Sequence, residues 1–146
     1  MLNYAILIDG GFAKRKLGTA KTPADAKSFS IMIEKIMEHE ALCTHRLHRV
    51  YYYDATPLTS SEKNPLSGEA MDFGATAVVA SARRLFDELA KLPFVALRLG
   101  ELSFNGWHVR PKALRSEAGG AREITGKDLA PQIQQKGVDM RIGMDI

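Results

Sequence analysis

The sequence lacks the features that mark secreted, disulfide-stabilised or membrane-embedded proteins. Its single cysteine, Cys43, rules out an intrachain disulfide, so a reducing, cytoplasmic compartment is the simplest expectation. We expect Cys43 itself to be a small buried hydrophobic residue. The first apolar stretch ends at Asp9 and has no basic segment ahead of it, so it is too short for a signal sequence or a membrane span. We therefore predict a soluble protein that does not contact a membrane.

The chain also lacks a strong excess of either charge. Its formal net charge is +3, which is compatible with a polyanionic partner but does not identify one. With 146 residues, of which 45% are hydrophobic and 25% charged, it has the size and composition of one globular domain spanning 1–146. No glycine-rich phosphate loop of the nucleotide-binding type is present, because Asp9-Gly10-Gly11 lacks the lysine and the spacing of that motif.

The chain does contain an apolar segment that is typical of a buried strand and that ends at an aspartate. The apolar run 4–8 leads directly into Asp9, Gly10 and Gly11. A continuous apolar run bounded by turn residues is typical of a strand covered on both faces, and ligands of parallel sheets collect at the carboxyl ends of such strands. Asp9 is therefore a candidate active-site residue. The alternative is that Asp9 only begins an Asx-type turn.

A second predicted strand, 49–54, also ends in an aspartate. It is rich in aromatic and β-branched residues and stops at Asp54, ahead of a polar loop that has no periodicity. If the two strands are parallel, Asp54 and Asp9 share one edge of the sheet.

Two amphipathic helices are expected between and after these strands. The first should begin with Thr22 as its cap and Pro23 at its first position, and the second should run over 75–91 until Pro93 stops it. Their apolar stripes are predicted core positions. The stripes are Phe29, Met32, Ile33, Ile36 and Met37, and then Val78, Val79, Ala82, Leu85, Phe86, Leu89 and Leu92. With a third strand over 94–99, the order predicts an α/β fold with a mainly parallel sheet.

An antiparallel hairpin is predicted near 102–110. Asn105-Gly106 lies between two extended runs, and this dipeptide is the preferred type I′ hairpin turn. Trp107 beside Arg110 and Lys112 suits either packing against the core edge or stacking on a base while the cations hold phosphates, and we favour packing. The segment 115–126 is predicted to be a loop, with Thr125 capping a short turn after it.

The closing segment 138–146 is open to two interpretations. Apolar and polar residues alternate with period two, which favours a strand, whereas its propensities are compatible with a helix. In a strand Asp139 and Asp145 would lie on one face, and in a helix they would be about 120° apart.

Three segments, taken in order, resemble the bacterial NYN domain proteins of the LabA-like group. They are 6–12 (ILIDGGF), 50–55 (VYYYDA) and 135–145 (QKGVDMRIGMD), and the most specific element is Lys136-Gly137-Val138-Asp139 followed by a second aspartate six positions later. The resemblance covers nearly the whole chain. It implies a PIN-like, Rossmann-like three-layer fold, a helix beginning in the closing segment, and hydrolysis of RNA phosphodiester bonds.

The resemblance also implies a metal site. Asp9, Asp139 and Asp145 match the family's catalytic aspartates, which bind Mg²⁺ or Mn²⁺, and Asp54 matches a recurring tyrosine-aspartate pair near the site that is a further candidate metal ligand. Hard divalent cations prefer carboxylate oxygens, and a metal can activate the water that attacks phosphorus. Five cations are candidate contacts to the RNA backbone: Lys14, Arg15, Lys16, Arg110 and Lys112.

The chain departs from this family at its end. Relatives continue into a further strand with a Ser-Gly-Asp-x-Asp-Phe motif, so we expect a domain whose C-terminal part is missing and whose exposed sheet edge favours a homo-oligomer. The alternative function is an RNA-binding or interaction module of the same fold that does not cut. A third hypothesis, a small zinc site at Cys43, His45 and His48, is disfavoured because the spacing matches no closed zinc pattern.

Overall fold

The computed structural model describes residues 1–115 and 120–146 and is a mixed α/β fold. A four-stranded sheet has the order β1-β2-β5-β6, in which β1, β2 and β5 are parallel and β6 is antiparallel to β5. A separate antiparallel pair is formed by β3 and β4. The strands are β1 (Asn3–Asp9), β2 (Arg46–Thr56), β3 (Ser61–Lys63), β4 (Ala70–Asp72), β5 (Val95–Val109) and β6 (Leu129–Lys136). The mainly parallel α/β sheet predicted from the sequence is confirmed.

Four α-helices connect and cover these strands in the described part of the chain. They are α1 (Gly10–Leu17), α2 (Ala26–Met37), α3 (Ala77–Leu89) and α4 (Val138–Asp145). No helix was predicted between the first strand and the helix expected to begin at Thr22, but residues 10–17 form α1. The segment 138–146 contains α4, so its period-two pattern was misleading and the helix implied by the resemblance is correct.

The hairpin predicted at 102–110 is wrong. Residues 95–109 form one continuous strand, and its antiparallel partner is β6 rather than its own second half. Asn105-Gly106 lies where the register of β5 against β6 shifts, with Gly106 at a φ of 94°. A glycine with positive φ serves a bulge as readily as a hairpin turn, so the local signal did not distinguish the two.

The start of α2 also differs from the prediction. Asp25, and not Thr22, caps the helix, because its side chain accepts a hydrogen bond from the Ser28 N–H at 2.9 Å. The Thr22 carbonyl is instead bonded to the Thr19 N–H, and this turn packs so closely on Gly18 that a Cβ there would lie 2.3 Å from the backbone nitrogen of Ala24. The helix therefore begins three positions later than predicted, because a local turn engages Thr22 ahead of it.

The core lies on both faces of the sheet. On one face, Phe29 of α2 and Phe86 of α3 pack edge-on against Tyr52 of β2, and the predicted apolar stripes of both helices supply most of this layer. Val78 is the exception, since it is 73% exposed. On the other face, Val138 of α4 packs with Tyr53. Helices α2 and α3 therefore pack on one face of the sheet, and α4 packs on the other.

Short segments complete the described chain. The loop expected to lack regular structure contains β3, which pairs with β4. The predicted cap at Thr125 is confirmed, because Thr125 and Asp128 form a capping box around a 3-10 turn. Of the loop predicted over 115–126, residues 116–119 lie outside the described residues.

Candidate active site

Asp9 ends β1 and begins α1 at the carboxyl edge of the sheet. Its side chain accepts a hydrogen bond from the Phe12 N–H at 3.1 Å, so it is the N-cap of α1. Asp9 lies opposite Tyr53 in the register of β1 against β2. The turn interpretation and the active-edge interpretation of Asp9 are therefore compatible, since an exposed cap carboxylate also lies where parallel sheets bind ligands.

Gly10 allows α1 to begin directly against β2. A Cβ at this position would lie 2.5 Å from both Cζ and the hydroxyl oxygen of Tyr52, and 2.7 Å from the carbonyl oxygen of Tyr53. No real side chain occupies such a position, so glycine is required by close approach. At Gly11 a Cβ would meet only a carboxylate oxygen of Asp9, at 3.4 Å.

Asp54 lies on the same edge as Asp9, as predicted, but it is buried and fully engaged. One of its oxygens accepts from the Ala55 N–H at 2.8 Å, and the other accepts from the Tyr52 hydroxyl at 2.9 Å. The Lys14 ammonium lies 2.6 Å from the same second oxygen. Asp54 is 7% exposed, so this arrangement supplies internal partners for a buried charge rather than a ligand for a bound ion.

Tyr52 is held in its neutral form by this network. Burial raises the pKa of Tyr52 far above its usual value, and the negative charge of Asp54 and the hydrogen bond to it act in the same direction. The charge of Asp9 raises that pKa further, which places Asp9 and Asp54 in one electrostatic environment.

The turn from β6 into α4 brings Asp139 to the same edge. Gly137 has a φ of 83°, a left-handed conformation that favours glycine, and it starts α4 immediately after the strand. Gly100 on β5 lets this turn approach, because a Cβ there would lie 2.3 Å from the carbonyl oxygen of Lys136. Val138 is buried, and Asp139 falls in the first turn of the helix, where the helix dipole favours a negative charge.

Asp9 and Asp139 line one polar cleft, although they are 130 positions apart in the sequence. The cleft has a volume of about 370 Å³. One wall is the start of α1, and the other is the end of β6 with the start of α4. The lining residues are Asp9, Gly11, Phe12, Arg15, Gln135, Gly137, Val138, Asp139 and Met140.

Asp145 does not line this cleft. Its carboxylate accepts a hydrogen bond from the Tyr53 hydroxyl at 2.7 Å and lies 3.3 Å from Nε of Arg98. Six positions of helix separate it from Asp139 by about 9 Å along the axis and about 120° around it. Asp145 therefore ties the end of α4 to the face of the sheet formed by Tyr53 and Arg98.

The hydrogen bond to Asp145 raises the pKa of Tyr53, just as the hydrogen bond to Asp54 raises the pKa of Tyr52. Burial raises the pKa of Tyr53 to about 12, with further contributions from the hydrogen bond to Asp145 and from its charge. Arg98 lowers that pKa in part, and its guanidinium also lies 5.4 Å from the ring centroid of Tyr51.

The five cations predicted to contact RNA lie in three different settings: one is paired with Asp54, two are at or near the cleft, and two lie at the far end of β5. Lys14 is paired with Asp54, whereas Arg15 lines the cleft and Lys16 lies 5.5 Å from the ring centroid of Phe12. Arg110 and Lys112 are exposed, but they follow the far end of β5, which extends beyond the parallel part of the sheet as a ribbon paired with β6. The structure does not bring these last two into the cleft.

The other two hypotheses can be compared with the described residues. Cys43 is exposed rather than buried. No group of three or more His, Cys, Asp or Glu side chains suited to a metal is found among residues 1–115 and 120–146, at Cys43, His45 and His48 or elsewhere. Trp107 is half-buried and packs edge-on against Phe104 at 5.8 Å between ring centroids, as we favoured.

The two cleft carboxylates still match one way in which proteins hold a hard cation. Mg²⁺ is commonly bound through one or two carboxylates, with water and substrate phosphate completing its shell. Asp9 and Asp139 fit that donor type, whereas Asp54 and Asp145 are engaged by other side chains.

Sequence reasoning missed the partners of these carboxylates. Strand alternation places Tyr52 and Asp54 on one face and Tyr53 on the other, and this pattern was readable from the sequence. The contacts of Lys14 and Arg98 could not be predicted from the sequence, because each of them joins two elements that are far apart in the chain.

Comparisons of the chain with protein-family models, with curated proteins and with solved structures found no match. Within the part of the chain that the structure describes, no helix is long and apolar enough to cross a membrane.

Proposed function

We propose that this protein is a metal-dependent ribonuclease of the PIN-like fold, in which Asp9 and Asp139 hold Mg²⁺ or Mn²⁺. The observation that carries the proposal is the meeting of these two carboxylates in one cleft at the carboxyl edge of a parallel sheet. The resemblance to NYN domain proteins supports it, since both aspartates belong to the matching segments.

The chain's own groups have distinct tasks in this proposal. Asp9 and Asp139 bind the ion from two walls of the cleft, and Arg15 offers a positive charge to a phosphate in the same space. A bound divalent cation would supply the Lewis acidity that phosphodiester hydrolysis requires. Asp145 is a positioning residue, because it fixes α4 through Tyr53 and Arg98 and so fixes where Asp139 lies.

The test is cleavage of end-labelled RNA by the wild type and two isosteric variants, with Mn²⁺, with Mg²⁺ and with a chelator. Asp9→Asn should retain the fold, because asparagine also caps helices well, and Asp139→Asn changes an exposed position. We expect both variants to lose cleavage, whereas Asp87→Asn on the exposed side of α3 should cut as the wild type does. Cleavage that survives chelator or both substitutions would overturn the proposal.

A second function, an RNA-binding module that does not cut, is favoured by one observation. The described residues provide two carboxylates in the cleft and no group of three or more metal-binding side chains. The same assay separates the two functions. RNA binding without metal-dependent cleavage would favour the module.

A further inference from the structure

An apolar groove lies apart from the cleft, between the end of α1, the second half of α2 and the turns over 38–45. Its volume is about 360 Å³, which is within the range of small-molecule sites. Five apolar side chains line it together with Lys35 and His39, and they are Leu17, Ile31, Met32, Ile36 and Leu42. The groove shares no lining residue with the cleft of Asp9 and Asp139, so it is a separate candidate site.

The floor of the groove is held in place by the hydrophobic core. Leu17 of α1 and both Met32 and Ile36 of α2 pack against the buried cluster on this face of the sheet. Ile31 is 44% exposed and forms the outer part of the wall. A ligand would therefore meet an apolar surface that exists before binding, and it would cover side chains that now contact water.

The two polar side chains of the groove offer hydrogen-bond donors. The Lys35 ammonium has no acceptor, and Nδ1 of His39 already accepts a hydrogen bond from the Ala41 N–H at 3.2 Å. The neutral imidazole then carries its proton on Nε2, which is a second donor. Within residues 1–115 and 120–146, neither Lys35 nor His39 forms an ion pair, and the flanking Glu34 and Glu38 do not line the groove. A ligand that satisfies both donors carries an acceptor, and an anionic acceptor binds most strongly.

The carboxyl end of α2 also lies at the groove, and the helix dipole there opposes an anion. This opposition is reduced by local hydrogen bonds. The carbonyl oxygen of Glu34 accepts from the Glu38 N–H at 3.0 Å, and that of Ile36 accepts from the His39 N–H at 3.2 Å. Because the negative end of the dipole resides on unpaired carbonyl groups, the positive charge of Lys35 decides the preference of the groove for an anion.

The lining and the volume together define the rest of the ligand. An apolar lining suits a hydrocarbon rather than a sugar or a nucleotide, whose polar groups would lose their hydrogen bonds to water. At about 30 Å³ for each water-sized group, this volume holds about 12 non-hydrogen atoms, the number in a linear carboxylate of about ten carbons.

We propose that this groove binds a free medium-chain carboxylate, with the apolar chain along its floor and the carboxylate at Lys35 and His39. The inference is independent of the proposed ribonuclease function, because it concerns other residues and needs neither RNA nor metal. A second copy of the chain is the competing occupant.

The test is titration of the isotope-labelled protein with decanoate at low ionic strength, followed through backbone amide NMR shifts. We expect saturable shifts at the end of α1, in α2 and over 38–45, rather than at the cleft. Decylammonium has the same chain with the opposite charge. It should bind about 3- to 10-fold more weakly than decanoate, because it brings a like charge to Lys35.

Two substitutions test the two parts of the site, each with a matched control. Ile31→Gln keeps a good helix former and should weaken decanoate binding about 3- to 10-fold by removing apolar contact, whereas Val78→Gln, at a 73% exposed position of α3, should not. Lys35→Gln should weaken decanoate binding about 2- to 5-fold without weakening that of decylammonium. Lys27→Gln, at another exposed position of α2, should leave both affinities unchanged. Circular dichroism of each variant establishes that it is folded.

Absence of saturable shifts in the groove, equal affinities for decanoate and decylammonium, or equal effects of a variant and its control would each overturn the inference. Shifts of the groove residues that depend on protein concentration without decanoate would assign the groove to a second copy and would overturn it as well. Failure of RNA cleavage in the separate nuclease assay would leave the inference unaffected.

Discussion

Two adjacent glycines at the start of α1 provide a sharp test of how the site is packed. Gly10→Ala places a methyl group 2.5 Å from the Tyr52 ring and hydroxyl and 2.7 Å from the Tyr53 carbonyl oxygen. Gly11→Ala places one 3.4 Å from a carboxylate oxygen of Asp9, which is ordinary contact. The two variants have the same chemistry in neighbouring positions of one helix.

The expected difference in the free energy of unfolding follows from the different surroundings of the two glycines. Replacing glycine by alanine in a helix gains up to about 1 kcal/mol, and both variants share that gain. Overpacking a well-packed core costs about 1–3 kcal/mol, and only Gly10→Ala incurs it. We therefore expect Gly10→Ala to have a free energy of unfolding about 1–3 kcal/mol below that of Gly11→Ala.

Urea unfolding measures this difference, followed by Trp107 fluorescence and by helical circular dichroism. The midpoints should differ while the slopes with urea remain the same, since neither variant changes the surface exposed on unfolding. A Gly10→Ala protein as stable as Gly11→Ala would refute the close approach of α1 to β2, and with it the position assigned to Asp9.

The contacts of Asp54 with Lys14 and of Asp145 with Tyr53 give the remaining predictions. Lys14→Met leaves Asp54 buried without its cation and should lower the free energy of unfolding by about 1–3 kcal/mol, and adding Asp54→Asn should recover part of this loss. Strictly additive effects in that double-mutant cycle would contradict the pairing. Tyr53→Phe removes the hydrogen bond to Asp145 and should cost about 1–3 kcal/mol in the same assay. Folding raises the pKa of Tyr53 from 10.0 to about 12. The contribution of the Tyr53 hydroxyl to the free energy of unfolding is therefore complete below pH 10 and is lost as the pH rises towards 12. Between pH 10 and pH 12, urea unfolding should therefore show a smaller loss of unfolding free energy for Tyr53→Phe than for the wild type. Equal losses in the two proteins would count against the hydrogen bond.

The sequence by itself determined the elements whose signals are local and periodic. The apolar stripes of α2 and α3 and the strands β1 and β2 could be predicted from the sequence, because side-chain burial repeats with the period of each element. The order of those elements then determined that the strands are parallel and that both aspartates lie at one edge.

Only the tertiary structure decided what each of these side chains contacts. The turn predicted at Asn105-Gly106 became a bulge because β6 pairs with β5 on both sides of it, from Glu101 to Val109. Asp54 became a buried partner of Lys14, and Asp145 a partner of Tyr53 and Arg98. Aspartate serves equally well as a ligand, a cap or an ion-pair partner, so residue type and spacing leave these roles open. The choice between them depends on which distant element the fold packs against each carboxylate.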